Sequence, residues 1–66
     1  MQLYDFTKPE LDELRALCNF TYDERQYFDL RSQGKSNVQI AMEMNVSESK
    51  VSVLARKVKS KIKRVL

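Results

Sequence analysis

Histidine and tryptophan are absent from this 66-residue chain, and cysteine, glycine and proline occur once each. Each absence excludes something. Without histidine, and with a single cysteine, there is no ligand set for a structural metal, no nucleophile–histidine pair and no internal disulfide. One glycine cannot build a glycine-rich phosphate loop, and the remaining carboxylates are scattered along the chain. The sequence therefore predicts no catalytic residues, no metal and no cofactor. The lone Cys18 fits a reducing cytoplasm and is expected as a buried structural thiol rather than a reactive one. No apolar run has membrane-spanning length, and MQLYDFTKPE lacks the basic start and apolar stretch of a signal peptide. The expectation is a cytoplasmic protein with no membrane contact and, at this size, no small-molecule pocket. A single domain over 1–66 stands near the lower limit for an independent core, so stability must come from compact helix packing, a partner surface or both.

Charge is abundant and unevenly placed. Residues 1–33 carry four basic against seven acidic side chains, whereas residues 34–66 carry eight basic against two acidic. A molecule with one acidic and one basic half suits a polyanionic partner, either a nucleic acid or an anionic membrane surface.

Four helix starts are written in the chain. Thr7-Lys8-Pro9-Glu10 and Thr21-Tyr22-Asp23-Glu24 have the spacing of a capping box, and Ser36-Asn37-Val38-Gln39 repeats it with glutamine as the residue that reaches back. Ser47 is a fourth N-cap. Phe6 with Leu11, and Val46 with Val51, have the spacing of hydrophobic staples. The apolar positions predict helices over about 8–18, 22–33, 37–44 and 48–65. In the first, Leu11, Leu14 and either Leu17 or Cys18 face inward; in the second, Tyr27, Phe28 and Leu30; in the third, Ile40, Ala41 and Met44. Val51, Leu54, Ala55, Val58, Ile62 and Val65 form one stripe along the fourth, which at ~1.5 Å per residue is about 27 Å long. Gly34 stops the second helix, and Asn45 stands where the chain must turn sharply. No stretch alternates with period two. The fold class is all-α, with four helices.

Only Asn45-Val46-Ser47 separates the third helix from the fourth. So short a link favours the steep crossing of a helix-turn-helix over an antiparallel hairpin, with small Ala41 where the two helices approach. The second helix of such a unit enters the DNA major groove. Ser49, Lys50, Ser52, Val53 and Arg56 project away from the apolar stripe and are the candidate base contacts. Arg56 can offer a bidentate fork to guanine, the serines can bond several base edges, and Val53 can meet a thymine methyl. Candidate phosphate contacts are Lys35, Ser36, Asn37, Ser47, Lys57, Lys59 and Lys63, the serines acting with free N–H groups at helix N-termini. Glu48 suits the helix dipole rather than a base. The apolar face of the last helix is needed by the core, which argues against the membrane-surface alternative.

From Phe20 to Ile62, 43 of the 66 residues, the chain resembles the LuxR/GerE-type helix-turn-helix and, almost equally, region four of bacterial sigma factors. The matching positions are Thr21, Glu24, Arg25, Phe28, Leu30 and Gly34, then Ser36-Asn37 with Ile40-Ala41 and Met44. Val46-Ser47-Glu48, Val51, Val53 and Lys61 complete them. The resemblance implies a tetrahelical domain of bacterial or phage origin that reads double-stranded DNA as a transcription regulator, with base contacts at Ser52, Val53 and Arg56. Two positions depart from the LuxR pattern: Ser52 stands where a basic residue is usual, and Leu54 where histidine is frequent. The LuxR pattern also has a short dimerising helix after the recognition helix, whereas the extra helix here comes first, as in the sigma arrangement. The sigma likeness implies an alternative, a module that docks on RNA polymerase. For DNA reading, a homodimer on a two-fold site is expected, through the first helix and the end of the last, where Ile62, Val65 and Leu66 are expected to lie beyond the core.

Overall fold

The computed structural model describes residues 6–66; the first five residues of the expected domain span lie outside the described residues. Four helices follow one another: α1 (Lys8–Cys18), α2 (Tyr22–Ser32), α3 (Asn37–Met44) and α4 (Glu48–Val65), with no strand among the described residues. The architecture is the all-α, four-helix one that the periodicity predicts. Its one boundary difference is small: Gln33, expected as the last residue of α2, caps it instead.

Local chemistry fixes the helix ends. Thr7, Thr21 and Ser36 each accept from the backbone N–H three residues on, and Glu10, Glu24 and Gln39 each accept from the cap's own N–H, so three capping boxes are complete. At the other ends, three residues adopt the left-handed conformation: Asn19 at φ 52°, Gly34 at φ 87° and Asn45 at φ 57°. After α2 the N–H of Gly34 bonds the Arg31 carbonyl at 2.9 Å and that of Lys35 bonds Leu30 at 3.4 Å. After α3 the same pair recurs, Asn45 to Met42 at 3.3 Å and Val46 to Ala41 at 3.0 Å. These are Schellman closures, which satisfy carbonyls the helices leave free and reverse the chain within a few residues.

The helices enclose one core. Leu14, Cys18, Phe20, Tyr27, Phe28, Ile40, Ala41, Val51, Leu54, Val58 and Ile62 are all buried, with Phe6, Leu11, Leu30, Met44, Val46 and Ala55 packed around them. Cys18 takes the inward position on α1, and Leu17 is left 55% exposed. Desolvation raises the Cys18 thiol above its ordinary pKa, so the inert neutral form dominates. Phe20, which sits between helices where no periodicity can flag it, packs its ring 5.0 Å from that of Phe28. On the other helix, Arg15 bonds Asp29 with Nη2 at 2.6 Å and Asp12 with Nη1 at 2.8 Å, with its guanidinium carbon 5.5 Å from the Phe28 ring centre. That side chain ties α1 to α2.

The expectation that Ile62 lies beyond the core is wrong. Ile62 is fully buried, because α1 packs alongside the C-terminal part of α4 and covers it. Val65 and Leu66 are exposed, as expected.

Lys61 has a structural role that its place in a basic helix conceals. Its ammonium bonds the carboxylate of Glu24, only 4% exposed, and also reaches the Asn19 carbonyl at 3.4 Å. Burial by itself would raise the Glu24 carboxyl, but the bonds from Lys61 and from Thr21 outweigh it and hold the group below the ordinary carboxylate range. A carboxylate with a depressed folded-state pKa adds stability above its unfolded pKa and loses it as pH falls through the folded value. The domain should thus lose stability from about pH 4.5 downward. Lys61→Ala should flatten that slope in part, since Glu10, lowered by its own capping bonds, adds a share of the same sign. Chemical denaturation followed by circular dichroism between neutral and acid pH checks it.

Candidate nucleic-acid interface

α3, the turn at Asn45 and α4 form one packed unit. Ile40 and Ala41 of α3 and Val51 and Leu54 of α4 are buried between the helices and the rest of the core. With that stripe inside, helical spacing turns the opposite face of α4 outward. Ser49, Val53 and Arg56 follow one another at intervals of four and three residues along that face, and all are exposed. Ser52 lies one step round on one flank. Arg56 forms no ion pair among the described residues, so its fork of donors is free. The same ridge continues through exposed Ser60 and Lys63. Ser60 was not singled out from the sequence, although the interval of four from Arg56 would have located it.

The remaining candidates divide by what already holds them. Lys57, Lys59 and Lys63 are exposed and form no ion pair among the described residues. Lys35 is different: its ammonium sits 3.0 Å from Glu43 of α3, with its backbone carbonyl bonded by Arg31. Lys50 lies on the other flank of α4, 4.0 Å from the Asp23 carboxylate of α2, a solvent-exposed pairing weak enough to yield to a stronger partner.

Ser36 is consumed by its capping box: its hydroxyl accepts from Gln39 and its N–H donates to the Gln39 side chain at 2.9 Å. What the start of α3 presents outward is therefore the backbone of Asn37 and Val38. At α4 the box is incomplete. Ser47 accepts from the Lys50 N–H at 3.1 Å, but Lys50 stands where the other helices place Glu or Gln and cannot accept in return. The N–H of Ser47 thus lacks the side-chain acceptor that the caps of the other three helices have.

Taken together, a short left-handed turn, a buried α3–α4 seam and an exposed, unpaired outer ridge define a tetrahelical helix-turn-helix domain. The sequence model of the bacterial regulatory proteins of the luxR family (GerE) matches residues 19–64, and the chain belongs to that family. It is accordingly a DNA-binding transcription-regulator domain. α1 lies outside the matched residues. No curated protein and no solved structure matches the chain. No described helix is long and apolar enough to cross a membrane, and the described residues contain no group of side chains that could hold a metal ion.

Proposed function

We propose that this chain is a sequence-specific regulator of transcription, from a bacterium or phage and acting in the cytoplasm, that reads double-stranded DNA with the first turns of α4. The observation that carries the reading is the exposed ridge Ser49-Val53-Arg56, with Ser52 beside it, on a helix whose opposite face is locked into the core. Arg56 reads guanine, Val53 packs on a thymine methyl, and Ser49, Ser52 and Lys50 bond neighbouring base edges. For Lys50 this means leaving Asp23. Lys57, Lys59 and Lys63 contact phosphates on the flanks, and the N-termini of α3 and α4, at Asn37 and Ser47, meet the backbone with N–H groups. Lys35 and Ser36 belong to this set only by position, since Glu43 and Gln39 hold them. The chain performs no catalysis in this role. Two copies act on a two-fold site, because one such helix supplies few base contacts.

A second reading, docking on RNA polymerase as in sigma-like proteins, draws on the acidic surface of α1 and α2, where Glu13 and Asp23 are exposed. Selection from a random duplex library separates the two. The proposed function expects enrichment of one motif, bound at least about 1,000-fold more tightly than random duplex. Equal retention of all sequences would overturn it in favour of a non-specific or protein-docking module.

A further inference from the structure

Three lysines share the flank of α4 that faces the start of α2. Lys50, Lys57 and Lys61 follow one another at intervals of seven and four residues, so helical spacing stacks them on one side. Their surroundings differ. Lys61 is bonded to the buried Glu24 carboxylate, whereas Lys57 is exposed and forms no ion pair among the described residues. Lys50 falls between the two: its ammonium stands 4.0 Å from the carboxylate of Asp23, with the side chains 47% and 52% exposed. Asp23 and Glu24 are neighbours in the first turn of α2, so that one turn sets a negative charge beside each end of the lysine row.

A helix with its side chains is roughly 10–12 Å across, and the major groove is about 12 Å wide. With the ridge Ser49-Val53-Arg56 turned to the base edges, the flanks of α4 meet the two walls of phosphates. A free lysine on a flank is then a phosphate contact by default, the role proposed for Lys57. Lys50 stands on the same flank, and Asp23 is what sets its surroundings apart. A phosphate drawn to Lys50 there brings its own negative charge up against Asp23. A base edge carries no net charge, meets no such repulsion and lies on the ridge side, away from α2.

We infer that Asp23 is a positioning residue for DNA reading: it denies the Lys50 flank to phosphate and so directs the Lys50 ammonium to a base edge. The inference rests on the DNA-reading function proposed above. The exposed ion pair is weak, and its own stability is not what acts. What acts is the carboxylate that stays on the flank once Lys50 has left it. Guanine, with two acceptors side by side at N7 and O6, is the base this arrangement selects, since adenine and cytosine each present an amino donor in the groove.

The test takes the full chain as wild type, Asp23→Asn, Asp23→Glu and Lys50→Ala through selection from a random duplex library and titration on one random duplex. Lys50→Ala should erase preference at one base pair, distinct from the pair that Arg56 reads. Asp23→Asn should blur preference at that same base pair, although it removes no donor, and leave the Arg56 pair intact. It should also raise affinity for the random duplex about fivefold at ~0.15 M salt and steepen the salt slope by about one unit, as Lys50 gains a phosphate. Asp23→Glu keeps the charge and should behave as wild type. Losing a negative charge favours DNA in general, so Asp23→Asn is repeated with Lys50→Ala, where the gain should fall below about twofold. An equal gain with and without Lys50 would overturn the inference. A wild type that reads sequence, with Asp23→Asn reading every base pair as well, would defeat this inference alone. A wild type that prefers no sequence would defeat the proposed function, and this inference with it.

Discussion

Phe28→Ala is expected to cost about 3–5 kcal/mol, enough to leave a domain of this size largely unfolded at room temperature. Phe28 is fully buried, and its ring stands at the junction of the whole structure, with Phe20 at 5.0 Å and the Arg15 guanidinium 5.5 Å from its centre. Truncation removes the transfer free energy of the ring and opens a cavity in a core formed by only a few large side chains. It also strips Arg15 of the aromatic face it lies against. The exposed Met42→Ala change, by comparison, should fall within about 0.5 kcal/mol, since no core packing is lost. Urea unfolding of the two variants measures the difference; similar midpoints would mean that the core is not organised around Phe28.

Helix starts were legible because an N-cap is a local device. Thr7, Thr21, Ser36 and Ser47 bond to backbone three residues away, and a four-residue window contains the whole interaction. The left-handed turns at Gly34 and Asn45 were legible for the same reason, as was the outer ridge of α4, once Val51, Leu54 and Val58 had claimed the inner face. What depended on a neighbouring helix was not legible. Ile62 was assigned to the surface because its burial comes from α1, more than forty residues earlier in the chain. Lys61 matches the family pattern but has no role that its own surroundings in the sequence reveal, and only the packing of α2 on α4 brings Glu24 to it. Lys35 is expected at a phosphate, and in the structure Glu43 holds its ammonium. In each case the partner lies in another element.

The claim at the centre of this account is that α4 reads sequence instead of merely attracting DNA. It separates two kinds of residue on one helix. Arg56→Ala should cost roughly 1–3 kcal/mol on the preferred site and blur the preference at one base pair. Ser52→Ala and Val53→Ala should alter preference more than overall affinity. Lys57→Ala or Lys59→Ala should instead weaken binding to every sequence alike and make the salt slope shallower by about one unit per lost phosphate contact. Lys61→Ala, whose ammonium faces Glu24, should leave that slope unchanged. The decisive measurement is a titration of wild type, Arg56→Ala and Lys59→Ala on the selected and a random duplex across several salt concentrations. Arg56→Ala should narrow the gap between the two duplexes, while Lys59→Ala should leave the gap and flatten the slope. The same uniform loss from both variants would contradict it and reduce α4 to a non-specific clamp.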